Sequence, residues 1–114
     1  MSSRPALHVE ESGDTIAVGF VDCKVLNEQS VEVIREDLYG LVTKVGKRQL
    51  QLKFNDVEFV CSAFLGTLIS LNRKLTDAGG KLIIVNASPN IVEVFELTGL
   101  TKLINIEQKK SKSS

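Results

Sequence analysis

The sequence is that of an ordinary single globular domain. Its 114 residues are 43% hydrophobic and 25% charged, a balance that excludes collagen-like and intrinsically disordered chains and provides for one packed core. The 14 basic and 14 acidic residues give a net charge of zero, so no overall field attracts nucleic acid or an anionic membrane, and we expect neither as a partner.

Targeting segments and metal-binding motifs are not indicated by the sequence. The first five residues hold one basic residue with no apolar run behind it, so we predict no secretory signal and expect a cytoplasmic protein. Every apolar run is far shorter than the roughly 18 residues that span a bilayer. The two cysteines, Cys23 and Cys61, have no CxxC spacing, which predicts reduced thiols and no metal or other cofactor.

A β-hairpin is the first predicted element. Residues 7–10 alternate apolar and polar side chains, a turn of Ser, Gly and Asp follows, and an almost continuous apolar run covers residues 16–21. The second run is apolar on both faces, which places it inside the sheet, whereas the first is typical of an edge strand. Asp22 ends the hairpin.

The strongest predicted helix lies between Asn27 and Gly46. Asn27 is suited to cap its first turn, and Gly46 is suited to the left-handed conformation that ends it. Apolar residues recur between them at helical spacing, namely Val31, Ile34, Leu38, Leu41, Val42 and Val45.

Strands and helices then alternate along the rest of the chain. Residues 50–54 alternate as a third strand, and a second helix begins at Ser62 and ends at Gly79-Gly80, before a strand at residues 82–85. Its predicted buried stripe comprises Leu65, Leu68, Ile69, Leu71 and Leu75. Ser88-Pro89 begins a third helix with a buried face of Ile91, Val94 and Phe95 that ends at Gly99, and residues 103–106 form a last short segment.

This order predicts an α/β fold. Regular alternation with short connections favours a mixed, mostly parallel sheet of about five strands, with the N-terminal antiparallel hairpin at one side and three to four flanking helices. Residues 1–5 and 108–114 are polar, so we predict disorder there and a folded domain over residues 6–107.

Catalytic motifs are not apparent. The glycines do not form a phosphate-binding loop, and Ser62 lacks the flanking glycines of a nucleophile elbow. His8 falls on the exposed face of the edge strand, and we assign it no role. An enzyme that uses Cys61 or Ser62 as its nucleophile would need a general base, which the neighbouring sequence does not provide, so we do not predict an enzyme.

The turn at Cys61-Ser62 is the most informative position. The Ser62 hydroxyl is expected near the unpaired N–H groups at the start of the second helix, where it acts either as an N-cap or as a phosphorylation site whose phosphate the helix terminus stabilises. Cys61 is either a buried small apolar residue or a thiol activated by the same terminus.

Several segments resemble one known family. Residues 56–66 (DVEFVCSAFLG) resemble the switch segment of STAS domains, the family of bacterial anti-sigma factor antagonists. Residues 79–86 (GGKLIIVN), Ser88-Pro89 and residues 94–100 (VFELTGL) are similar to the C-terminal half of that family in order and spacing. On these segments the chain is identified as a member.

The resemblance implies a binding function with a phosphorylation switch. In the family, the serine at the position of Ser62 is phosphorylated by a cognate anti-sigma factor that is also a serine kinase, and phosphorylation prevents binding. The unmodified antagonist captures the kinase and frees the sigma factor. The resemblance thus makes Ser62 the switch, makes Cys61, Ser62, Ala63 and Phe64 the docking turn, and places Asp22 at the partner interface.

Departures from the family pattern suggest an alternative function. The usual pattern is Asp-Ser-Ser-Gly-Leu-Gly, whereas Cys61, Ala63 and Phe64 replace three of these residues here. Because Phe64 lies off the predicted stripe of its helix, we expect its ring to point outward as a partner-binding anchor. The alternative is a STAS scaffold or constitutive binding module in a signalling complex, without phosphorylation, for which other STAS proteins are the expected partners.

Overall fold

The computed structural model describes residues 6–21, 24–55 and 57–108. The predictions for Asp22 and Cys23, and those for residues 1–5 and 109–114, lie outside the described residues. The elements, in chain order, are β1 Ala6–Ser12, β2 Thr15–Val21, β3 Val25–Leu26, α1 Glu28–Val45, β4 Gln49–Lys53, β5 Phe59–Val60, α2 Ser62–Asp77, β6 Lys81–Ala87, α3 Pro89–Leu97, a 3-10 turn Leu100–Lys102 and β7 Asn105–Gln108.

Five strands form the main sheet, in the order β1-β2-β4-β6-β7. β1 and β2 pair antiparallel, and the other three pairings are parallel. The predicted α/β class is therefore confirmed, with β1 at the edge and β2 inside. β7 includes Gln108, so the prediction of disorder from residue 108 is wrong at that residue, where the backbone pairs with Ala87.

A second, two-stranded sheet joins β3 and β5 in parallel. The sequence did not predict it, because two strands of two residues each are too short to show the alternation by which strands are recognised.

The first and third helices begin as their sequences predict. The Asn27 side-chain oxygen accepts a hydrogen bond of 2.9 Å from the Ser30 N–H, and Gly46 ends α1 at a φ of 58°. Ser88 Oγ accepts from the Ile91 N–H at 3.4 Å, with Pro89 as the first residue of α3. These caps pair backbone donors that a helix cannot pair itself.

The helices bury their apolar sides in one core with the inner face of the sheet. That face carries Ile16, Val18, Leu50, Leu52 and Ile84, each fully buried. Four aromatic rings pack together within this core, with centroid distances of 5.4 to 6.1 Å between neighbours: Phe20, Phe54, Phe64 and Phe95.

The prediction that Phe64 points outward is wrong, because its side chain is 0% exposed. The buried stripe of α2 runs through Phe64, Leu68, Leu71 and Leu75, and Ile69, which was assigned to the stripe, is 45% exposed. Thr67 completes the buried side, since its hydroxyl donates to the Ala63 carbonyl at 3.1 Å and is thereby satisfied. Three of the five residues predicted for the stripe are buried, namely Leu68, Leu71 and Leu75. The helix is thus slightly rotated from its predicted orientation, and Phe64 belongs to the core.

Removal of the Phe64 ring should therefore destabilise the fold. We expect Phe64→Ala to lower the free energy of unfolding by about 3–5 kcal/mol, as large-to-small substitutions of buried aromatics do. Phe59→Ala is the matched control, because that ring is 54% exposed and its loss should cost far less. Urea denaturation monitored by circular dichroism measures both. Equal losses in the two variants would contradict the burial of Phe64.

Candidate docking surface at the start of helix α2

Two strand-to-helix junctions lie side by side at one end of the molecule. β3 leads through Asn27 into α1, and β5 leads through Cys61 into α2. The parallel pairing places Val25 opposite Phe59 and Leu26 opposite Val60. Because both strands run in the same direction, the two helices start at the same end of this small sheet, and α1 then packs along α2.

Backbone hydrogen bonds fix the position of the second junction. The Cys61 N–H donates to the Leu26 carbonyl at 2.9 Å, and the N–H groups of Glu58 and Phe59 donate to the Lys24 carbonyl at 2.7 and 3.2 Å. These bonds hold the chain on both sides of β5. The residue that follows Cys61 is therefore presented on a well-defined turn.

Ser62 occupies the first helical position of α2 and is exposed. The N-cap is Cys61, with φ of −88° and ψ of 167° and no side-chain hydrogen bond to the helix. The interpretation of Ser62 as an N-cap is thus wrong, because the helix begins one residue earlier than that role requires. The Ser62 hydroxyl is left on the surface, available to a partner or a modifying enzyme.

The first turn of α2 contains no acidic residue, whereas α1 has Glu28 at the equivalent place. The N-terminus of a helix carries a partial positive charge, which an acidic side chain would normally offset. Within α2 itself nothing offsets it.

Cys61 is half-buried and packs against the core. This placement fits the interpretation as a small apolar residue at the end of a strand.

Several apolar or small residues close to Ser62 in the sequence are exposed. Phe59, three residues earlier, is 54% exposed, and Ala63 is exposed next to it in sequence. Gly66, one turn further along α2, is exposed, and a Cβ added there would meet nothing within 4 Å. We call Phe59, Ser62, Ala63 and Gly66 the docking surface.

The structure separates the predicted site residues into three groups. Ser62 and Ala63 lie together on the surface, Cys61 is partly covered, and Phe64 is buried beneath them. Asp22 lies outside the described residues. At this turn the exposed aromatic residue is Phe59, for which no role was predicted from the sequence. The signal that could have identified it is the alternation with Val60, which faces inward from β5.

Within residues 6–21, 24–55 and 57–108, no three His, Cys, Asp or Glu side chains lie close enough together to hold a metal ion. None of the described helices has both the length and the apolar character needed to cross a membrane.

Comparison with known proteins agrees with this fold. The family model of the STAS domain matches residues 20–112. The anti-sigma-B factor antagonist of Bacillus subtilis (strain 168) is 31% identical over 80 residues, which cover 70% of this chain and 72% of that protein.

Solved structures of similar shape show the same fold. An anti-sigma-factor antagonist (STAS) domain protein from Planctomyces limnophilus has a TM-score of 0.79 at 19% identity and covers 94% of this chain and 93% of that one. The Bacillus cell fate determinant SpoIIAA in its phosphorylated form has a TM-score of 0.67 at 21% identity, with coverage of 95% and 94%. The structures show the shared fold, and with the family model and the Bacillus relative they establish that this chain belongs to the STAS domain family.

Proposed function

We propose that this protein is an anti-sigma factor antagonist. It binds an anti-sigma factor through the docking surface, which frees the sigma factor, and phosphorylation of Ser62 by the serine kinase activity of that partner ends the binding. The observation that carries the proposal is the exposed Ser62 residue on a turn held by backbone hydrogen bonds, three residues after the exposed Phe59. The name of the Bacillus subtilis relative supports it.

The docking surface has the composition that protein partners use. An exposed aromatic ring loses a large apolar area from water on binding, and such residues contribute most to many interfaces. Ala63 and Gly66 have no long side chain that would hold a partner away from the helix. Phe59 therefore acts as the anchor, and the small residues allow close contact around Ser62.

Phosphorylation would change this surface in a single step. A phosphate on Ser62 carries nearly two negative charges at neutral pH. It would be stabilised by the terminus of α2, whose first turn contains no acidic residue. The same charge would stand on the docking surface, where an apolar partner surface would have to desolvate it, so binding is lost. SpoIIAA, of the same fold, has been solved in a phosphorylated form, which supports this interpretation.

In a second candidate function, the protein binds partners through the docking surface without phosphorylation of Ser62. Cys61 stands where the family pattern has an aspartate, and its half-buried thiol cannot serve as the carboxylate acceptor beside the Ser62 hydroxyl. In this case the protein is a scaffold or constitutive binding module in a signalling complex.

A phosphorylation assay tests whether Ser62 is the switch. We expect incubation with the cognate anti-sigma factor and ATP to add one phosphate, which intact-mass and peptide mass spectrometry locate at Ser62. Ser62→Ala should abolish the modification and retain binding, whereas Ser70→Ala, on the same helix, should be modified as the wild type is. Modification that persists in Ser62→Ala would place the switch elsewhere, and binding without any modification would favour the scaffold.

The Phe59 anchor gives a second prediction. We expect Phe59→Ala to weaken binding of the anti-sigma factor by about tenfold or more, as the loss of an interface aromatic does. Leu97→Ala is the matched control, because Leu97 is 81% exposed near the end of α3 and lies outside the docking surface. Isothermal titration calorimetry measures both affinities. Equal affinities for the two variants would exclude Phe59 as the anchor.

Gly66 and Gly40 form another matched pair, one in α2 and one in α1. Both are exposed, and a Cβ at either would meet nothing within 4 Å, so alanine should stabilise each helix by up to about 1 kcal/mol. We expect only Gly66→Ala to weaken partner binding, since its Cβ stands on the docking surface. Thermal unfolding and titration calorimetry separate the two effects. Unchanged binding by Gly66→Ala would remove Gly66 from that surface.

A further inference from the structure

The two edge strands of the main sheet differ in how readily another strand could pair with them. β1 is seven residues long and pairs with β2 without any break in register. It contains neither proline nor lysine. β7, at the opposite edge, has four residues, and its pairing with β6 contains a register shift. A long, regular edge strand is a template for pairing with another strand, and bulged or short edges are protected from it.

An apolar groove runs beside β1 on the helical side of the sheet. It is lined by Leu7 and Val9 of β1 and by Leu41 of α1, with Asp37 at its rim. Val9 is 36% exposed, and Leu7 and Leu41 are only partly covered by the core. A strand added to β1 would cover these side chains as well as pair with the backbone.

The third residue of β1 on this face, Glu11, is already neutralised within the chain. Its carboxylate accepts a hydrogen bond of 2.9 Å from Arg48 Nη1, and Lys44 Nζ lies 3.4 Å away. These two cations, the Arg48 hydrogen bond foremost, hold the pKa of Glu11 below its usual value. The ionised Glu11 therefore does not repel a strand that approaches the edge.

The sequence of β1 is complementary to itself about Val9. In an antiparallel pair centred there, Val9 lies opposite Val9 of the second copy, and Leu7 lies opposite Glu11, whose carboxylate is already paired with Arg48 and Lys44 of its own chain. In the same pair, His8 lies opposite Glu10 in both directions. These two side chains share the outer face and already lie 3.3 Å apart within one chain, from His8 Nε2 to Glu10 Oε1. All residues from Ala6 to Ser12 then have a partner.

Other registers are less favourable. Centring the pair on Glu10 would place two carboxylates directly opposite each other, which destabilises a sheet. Centring it on His8 would leave Glu11 and Ser12 without partners in the strand.

We propose that two copies of this protein associate through β1, antiparallel about a two-fold axis at Val9, so that their five-stranded sheets join into one. The interface adds backbone hydrogen bonds along β1 and buries the groove of Leu7, Val9 and Leu41. The dimer does not depend on the anti-sigma factor proposal, because the docking surface belongs to the separate β3-β5 sheet and the α2 start.

Sedimentation velocity over a concentration series tests the association. We expect the wild type to sediment as a dimer that dissociates on dilution, and Val9→Lys to sediment as a monomer, since two ammonium groups would meet at the axis. Leu97→Lys is the control for an added charge and should remain dimeric. Circular dichroism confirms that each variant is folded. A monomeric wild type at every concentration, or a dimeric Val9→Lys, would overturn the proposal.

Cross-linking and charge reversal test the register. Residues directly opposite in an antiparallel pair have Cβ atoms about 4.5–5.5 Å apart, so Val9→Cys should form a disulfide-linked dimer on mild oxidation, well above the background of the wild-type cysteines. His8→Cys should not. His8→Glu should weaken the dimer, and the double variant with Glu10→Lys should restore it. Efficient cross-linking by His8→Cys alone, or no restoration by the double variant, would refute the Val9 axis.

Discussion

The parallel pairing of β3 with β5 is the constraint on which the candidate site depends. It involves two residues in each strand, yet the bond from the Cys61 N–H to the Leu26 carbonyl sets where α2 begins. A short parallel pair is weak by itself, and here both strands continue directly into helices that pack against each other and the sheet. The tertiary packing of α1 and α2 therefore stabilises the very strands that position their N-termini.

The sequence predicted those parts of the fold whose signals are local. Asn27, Gly46 and Ser88 mark helix ends by the chemistry of caps, and the apolar spacing of α1 is long enough to be unambiguous. α2 differs, because Leu65 and Ile69 offer an apolar stripe adjacent to that of Phe64 and Leu68. The rotation of α2 about its axis is set by the direction in which β5 leads into the helix. That direction depends on pairing with β3, which is distant in the sequence, so no local pattern indicates it.

The difference between local and long-range signals also explains which site residues could be predicted. The position of the turn and of Ser62 followed from the change between strand and helix spacing, with the family resemblance supplying its interpretation. The exposure of Phe59 could have been predicted from its alternation with Val60 in β5. The burial of Phe64 did not follow from the sequence, since it depends on the rotation of α2. The burial of Thr67 was not predicted either, because a polar residue is expected to be exposed. Only the structure shows that its hydroxyl is satisfied by a hydrogen bond to the Ala63 carbonyl.

The burial of Phe64 also limits how the proposed switch can act. Its ring lies 6.1 Å from Phe20 and 5.9 Å from Phe54, between centroids, directly below the first turn of α2. Close-packed aromatic rings leave little room for the backbone above them to rearrange. A phosphate on Ser62 would then act through its charge and size on the surface rather than through a change of fold, so the modified and unmodified proteins should share one backbone conformation at this turn.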